Sequence, residues 1–537
     1  MYLKKIKRNG RLYLSIVRNY REGGRVRTKT VESLGYVDEL GKRYDDPVAY
    51  FADRVRAMNE QQERGSRLKL SLDSQALIEM DGTGSVQLGS SIALGYADMF
   101  EVGRYFSRRA GSAAGRSFEL LTTARMLHAV PVHETWNSRG KFPRACDFGF
   151  SEVYRSFECF ADFASDFVGW LNGQYEQMYG ERELDQVRLV FSNYVFRWAP
   201  DASAGGPDEM GFAGEARLCL AIDGGGIPLG YRIVPAQMDA KRVTDFVSEV
   251  GREVRAKRVV LVAAQLPDAE SIMDELISQG NGFVLLQPAK TLAAETLAWA
   301  RDDADYRITR NGAYRIKSRT IDGRGGAGKA AIANDDSGRA VADRDDPEGV
   351  DGVRFGSGAG DAGACGAEAG LAGSAPRDGA ARRREPLKEI VLAPVSNARQ
   401  TFCVVSSEVE SSDGSIFNIY RELWRVHEPF QVISADFISS PYSVDARTHL
   451  KAHFLVCYTA FFLLRVLRRD MGWRFNAAQV ADALLAMEGA YLTENWYVFN
   501  YRTAVTDAIQ LGAGLEVGKR FMSRDEIRHV PALVSKR

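Results

Sequence analysis

No apolar run in this chain reaches the roughly 20 residues that a bilayer-spanning helix needs. The longest, "HFLVCYTAFFLL" from His453 to Leu464, is followed by Arg465, Arg468 and Arg469. A buried helix is expected there, and no membrane partner. Cysteine is scarce and scattered, six residues without a CxxC pair, which argues against both a disulfide framework and a zinc site. The opening "MYLKKIKRNG" has no apolar segment, so no secretory signal is expected and a reducing cytoplasm fits. Net charge is also missing: 70 Lys and Arg balance 70 Asp and Glu, so the overall charge argues nothing about nucleic acid.

What is present is length and core. At 537 residues with 45% apolar content, the chain is expected to form two to four domains. Charge is balanced overall but unevenly placed, since the first 30 residues hold ten Lys or Arg against the single acid Glu22. Such a block is either a solvated face or a surface for phosphate contact. On the second reading the DNA-binding candidates are Lys4, Lys5, Lys7, Arg8, Arg11, Arg25, Arg27 and Lys29.

Periodicity divides the chain further. Asn9-Gly10 and Gly23-Gly24 separate alternating or β-branched runs, predicting a basic three-stranded meander over 1–45. Apolar spacing of three and four residues predicts a helical region over 46–184. Over 185–318, "VRLVFSNYVFRW", "EARLCLAID" and "IPLGYRIV" read as three antiparallel strands. They are followed by alternating helix and strand that includes "RVVLVAAQLPDAESI" at 258–272. That order describes the first part of a mixed α/β sheet of the ribonuclease-H-like type. An insertion is expected over 319–398. Half of residues 323–382 are Gly or Ala, a composition that buries too little surface to offset its ordering entropy, so disorder is expected. "GRGGAGKAA" looks like a phosphate loop, but Ala330 stands where Ser or Thr is needed. The last part of the core is assigned to 399–475. There Ile416, Tyr420, Leu423, His427 and Phe430 share a helical face. An α-rich tail fills 476–537.

The sequence resembles the DDE transposases of bacterial insertion sequences, in the large IS-four-like group. The likeness is carried by "KKIKRNGRLYLSIVRNYREGGRVRTKTVESLGYVDEL", by "AIDGGGIPLGYRIVPAQ" and by some sixty residues from "SEVESSDGSIFNIYRELWRVHEPF" through "LKAHFLVCYTAFFLLRVL". The resemblance implies a ribonuclease-H-like core interrupted by an insertion, and three carboxylates holding two Mg²⁺ ions for DNA strand cleavage and transfer. Its partners would be DNA at insertion-sequence ends and a second copy of the chain in a homodimer, in the bacterial cytoplasm or on the nucleoid.

Position by position, the acids are missing. The family's first-strand Asp, three residues before Asn-Tyr, falls on Val190. Its fourth-strand Asp, after Val-Ala, falls on Ala264. Its helical Glu, seven residues after Tyr420, falls on His427, with Ser434 in place of the accompanying Lys. Mg²⁺ is therefore implied by the family but not expected here, and the expectation is an inactive relative. The alternatives are an active transposase using displaced acids such as Asp268 and Glu428, Asp223 ending a different strand, or a non-catalytic DNA-binding relative. Val190 and Ala264 also read simply as core residues, and His427 as a satisfied core histidine. His449 and His453 have the i, i+4 spacing of a metal pair, but with no third ligand evident, packing is expected.

Overall fold

Alternation in the first 36 residues produces three antiparallel strands, β1 (Tyr2–Arg8), β2 (Arg11–Glu22) and β3 (Arg25–Tyr36), paired in that order. A one-turn helix, α1 (Val37–Leu40), follows, then α2 (Pro47–Ser66). The second helix starts as its sequence dictates: Pro47 occupies the first helical position, and the Asp46 carboxylate accepts the backbone N–H groups of Val48 and Ala49, both at 3.0 Å. Among the described residues of this part, Phe51 and Val55 on α2, and Leu14, Ile16 and Val17 on β2, are the buried apolar ones. The helix is also tied to the meander by Arg54, which pairs with Glu32 at 3.1 Å.

This is a computed structural model. It describes the chain except residues 9, 23–24, 43, 45, 67–83, 145, 198–214, 265, 267, 289–291, 309–313, 323–385, 395–401, 418, 420–445 and 494. The chain divides into two units, Met1–Met80 with Leu492–Glu494, and Asp81–Tyr491 with Asn495–Arg537. The N-terminal unit therefore extends past the boundary at 45, and α2 belongs with the meander rather than with the helical region.

The second unit begins with a short strand, β4 (Ser85–Gln87), and six helices: α3 (Leu88–Met99), α4 (Val102–Ala110), α5 (Ser112–Leu127), α6 (Val132–Asn137), α7 (Phe150–Asp162) and α8 (Ala164–Tyr179). Next comes the sheet. Strands β5 (Gln186–Arg197), β6 (Glu215–Ile222) and β7 (Pro228–Pro235) form an antiparallel meander. After α9 (Ala240–Glu253), β8 (Arg258–Ala264) runs parallel to β5. After α10 (Ala269–Ser278), β9 (Gly282–Pro288) runs parallel to β8. Helix α11 (Ala294–Arg301) leads to β10 (Arg307–Ile308), β11 (Tyr314–Asp322), β12 (Pro386–Pro394) and β13 (Phe402–Ser406), which extend the sheet antiparallel. The nine strands lie in the order β10-β11-β12-β13-β9-β8-β5-β6-β7.

The region assigned to an insertion thus begins in β11 and includes β12 near its end. Asp322 on β11 is paired with Pro386 on β12, so the chain leaves the sheet and re-enters it at neighbouring positions. The expected disorder and the Gly-rich "GRGGAGKAA" fall on 323–385, outside the described residues.

Each face of the sheet has its own core, because side chains alternate along a strand. Val187, Leu189, Phe191, Val259, Leu261 and Ala263 pack with Val247 of α9 and Leu276 of α10. Val190, Leu220, Val260, Val262 and Ala264 belong to the larger cluster on the other face, with Phe454, Tyr458 and Phe462 of α12 (Ala446–Asp470). From Thr448 to Asp470 this helix is long and apolar enough to cross a membrane by length and composition, longer than the apolar run alone suggests. Nevertheless 94% of its most apolar window is buried within the protein. A helix apolar all round is what a central layer requires.

The tail is not purely helical. Between α13 (Ala477–Ala486), α14 (Ala504–Gly512) and α15 (Arg524–Ser535) lie β14 (Glu488–Thr493), β15 (Trp496–Phe499) and β16 (Phe521–Ser523). These form a four-stranded sheet in the order β16-β15-β14-β4. The α-rich reading of 476–537 missed it because its strands are short and one partner, β4, lies some four hundred residues earlier in the sequence.

Candidate catalytic face of the central sheet

Strands β5 and β8 run side by side from Gln186↔Arg258 to Val190↔Val262. Ala264 is two residues beyond Val262 and therefore points to the same face as Val190, at a diagonal Cα separation of roughly 8 Å by strand geometry. Two of the three positions that the resemblance singles out are thus neighbours on adjacent parallel strands. Val190 is 3% exposed and Ala264 5%. Val190 is flanked by Leu220 on β6, and Ala264 by Leu286 on β9. Neither side chain has a donor atom, and the paired neighbours are aliphatic. A hard divalent cation needs oxygen ligands, and these residues do not fit one.

His427 lies outside the described residues, as do Tyr420, Leu423, Glu428, Phe430 and Ser434. The segment leading to them is described as far as Ile416, which is buried in the same core as Val190 and Ala264. Just before it, Asp413 accepts from Lys388 on β12 (2.9 Å) and from Ser318 on β11 (2.8 Å), and pairs with Arg307 on β10 (2.7 Å).

The other acids are differently placed. Asp223 follows β6 and lies at the opposite end of the sheet: by register it is level with Val187, five residues and about 16 Å along the strands from the level of Ala264. It is 2% exposed and held by Arg182 at 3.0 Å, while its carboxylate accepts the Ile227 N–H at 2.7 Å. Burial raises its pKa, and Arg182 opposes that rise. This is a structural ion pair. Asp268 is exposed just past β8, at the start of α10 with φ 49° and no side-chain cap bond.

His449 and His453 lie on α12 away from these positions, on the side facing α5 and α7. His449 packs 4.9 Å from the Phe157 ring, and His453 Nε2 is 3.4 Å from Cys457 Sγ. Burial pushes the His449 pKa down to about 4; burial together with Arg125 and His449 pushes that of His453 well below the ordinary imidazole value. Among the described residues no group of three His, Cys, Asp or Glu could hold a metal ion.

In the N-terminal unit, Lys4, Lys5, Lys7 and Lys29 are exposed. Alternation puts Lys5 and Lys7 on one face of β1 and Lys4 on the other. Arg11 is engaged within the unit: it pairs with Asp38 and Glu39, both at 2.7 Å, and its guanidinium lies 4.2 Å from the centre of the Tyr36 ring. Those hydrogen bonds hold the guanidinium proton more tightly and the Asp38 carboxyl below its usual range. The backbones of Arg8, Arg25 and Arg27 lie in β1 and β3, and their side chains are outside the described residues.

Residues 3–70 match the family described as IS1634 family transposase, N-terminal domain. No curated protein matches the chain. Among solved structures, the Mos1 transposase paired-end complex with left transposon end matches at 12% identity. That match covers 46% of this chain and 70% of the other, with a TM-score of 0.13. A pre-cleavage Mos1 transpososome matches at 11% identity over 46% and 71%, also with a TM-score of 0.13. The matched family does not specify the IS-four-like group. The basic meander and its helix are thus similar to the N-terminal domain of an insertion-sequence transposase.

Proposed function

We propose that this chain is a DNA-binding protein of the DDE transposase type that has lost strand cleavage and transfer. The observation that carries this reading is the pair Val190 and Ala264. They are adjacent on one face of parallel strands β5 and β8, buried among aliphatic side chains and without a ligand atom between them. A ribonuclease-H-like core is supported by the order β9-β8-β5-β6-β7, with three antiparallel strands and two parallel ones whose crossovers are helices. In such a core the two-metal site would lie where these residues lie. The resident groups of an active relative would be carboxylates that hold Mg²⁺ and so activate water or a 3′-hydroxyl; a valine and an alanine do not substitute for them. DNA as partner is supported by the matched N-terminal domain and by the exposed Lys4, Lys5, Lys7 and Lys29.

The test is an assay of the full-length chain on DNA carrying the element's ends, with Mg²⁺ or Mn²⁺, reading cleavage and mobility shift together. A shift without nicking is the expected result. Specific nicking would overturn the inactive reading and point to displaced acids such as Asp268 and Glu428.

A further inference from the structure

The tail holds a cleft that none of the foregoing uses. It has a volume of about 320 Å³ and is lined where the end of β15 meets α14 and the loop before β16. Two separate segments bring cations to it: Arg502 from one, and Lys519 and Arg520 from the other. The wall is built rather than incidental. Arg502 is fixed by Asp507 through two bonds, Nε to Oδ1 at 2.8 Å and Nη2 to Oδ2 at 3.1 Å. The loop closes against its guanidinium at Gly518, whose N–H donates to Gln510 at 2.8 Å. Gly518 has φ +72°, and a Cβ there would come within 2.6 Å of the Arg502 Cζ. The left-handed φ favours glycine here.

The charges in this cleft are available to a ligand. Lys519 pairs with Glu526, and Arg502 with Asp507, but all four side chains are at least 32% exposed. Exposed pairs of this kind are weak and screened by water. Arg520 has no ion pair among the described residues and contacts Asn500 at 3.5 Å. The one acid in the lining, Glu488, is itself engaged by Lys141 at 2.9 Å. Exposed aromatic rings, Tyr501 and Phe521, flank the cations at 45% and 39% exposure. Converging Arg and Lys with rings beside them suit a phosphate and its attached sugar or base better than an apolar peptide.

We infer that this cleft binds a phosphate of a nucleic-acid backbone, giving the chain a second DNA contact in addition to the N-terminal meander. The inference rests on the reading of the chain as a DNA-binding protein. It is tested with the full-length chain, comparing wild type, Lys519→Ala with Arg520→Ala, and Lys4→Ala with Lys5→Ala and Lys7→Ala. Affinity for duplex DNA is measured across a salt series, with inorganic pyrophosphate titrated in parallel by calorimetry. The cleft variant is expected to lose about tenfold in affinity, and its log affinity against log salt is expected to flatten by one to two. Its melting temperature should match wild type; if it does not, Lys519→Gln with Arg520→Gln replaces it.

Unchanged affinity and slope in the cleft variant, with loss in the N-terminal variant, would overturn the cleft site and leave the DNA reading standing. Wild type that binds no DNA overturns both. Pyrophosphate binding without DNA binding, abolished in the cleft variant, would make this a free-anion site and overturn the nucleic-acid assignment.

Discussion

At the residue scale, the pair Val190 and Ala264 carries the functional reading, and its chemistry can be probed directly. Placing aspartates at both positions puts two carboxylates among Leu220, Val262 and Leu286. Uncompensated burial of this kind costs about 3–5 kcal/mol. We expect Val190→Asp with Ala264→Asp to melt well below wild type in chelator. Adding His427→Glu with Mn²⁺ should restore part of the loss, because a cation would neutralise charges that otherwise repel. A triple variant whose melting temperature ignores Mn²⁺ would show that the three positions do not converge.

The histidines of α12 give a second prediction at this scale. Burial lowers the His449 pKa to about 4, and His453 follows it downward. A group whose folded pKa is depressed takes up its proton in the unfolded chain first. Stability should therefore be complete above the unfolded value near 6.5 and fall as pH drops towards 4, by about 1.4 kcal/mol per pH unit for each histidine at most. Thermal melts from pH 7 to pH 4 should show this slope, and His449→Phe should flatten it.

At the element scale, helices were more legible in the sequence than short strands. The apolar periodicity of α12 and the alternation of β5 to β9 stand out because long elements repeat their pattern many times. Strands β14 to β16 have three to six residues each, too few to show a period. Strands β11 and β12 were hidden for a different reason, since the composition between them dominated the reading of the whole region. The register that makes Val190 and Ala264 neighbours was legible only through the family resemblance. Nothing in "VFSNYVF" or "LVAAQ" alone announces a site.

Asp413 is a detail that composition could not reveal, joining the segment after β13 to three strands. Burial works to raise its pKa, but the hydrogen bonds from Lys388 and Ser318 outweigh this and hold it below the usual range. Its contribution should be complete above the unfolded pKa of 3.8 and be lost as pH falls through the lower folded value. Asp413→Ala should cost about 1–3 kcal/mol at pH 7 by leaving Lys388 and Ser318 underpaired, and should loosen amide protection in β11 and β12 first. Packing between helices is as exacting. At Gly95 on α3 a Cβ would sit 2.5 Å from the Val534 Cβ on α15. Gly95→Ala should therefore force these helices apart and destabilise the chain by about 1–3 kcal/mol, measurable as a lower denaturation midpoint.

At the scale of the whole molecule, the sheet is continuous although the sequence that builds it is not. Asp322 and Pro386 are paired partners at the end of β11 and β12, so the strands on either side of 323–385 meet as they would across a short hairpin. Each halving of a closed loop recovers about 0.6 kcal/mol of closure entropy. Replacing 323–385 by a four-residue Asn-Gly type turn shortens the connection by about four halvings, worth roughly 2 kcal/mol. The expected outcome is a shortened chain with an unchanged far-ultraviolet spectrum and an equal or higher melting temperature. If the DNA contacts lie in the N-terminal meander and the tail cleft, its affinity for duplex DNA should also be unchanged. A shortened chain that folds but no longer binds DNA would place an essential contact within 323–385 and move the DNA-binding surface away from both the meander and the tail cleft.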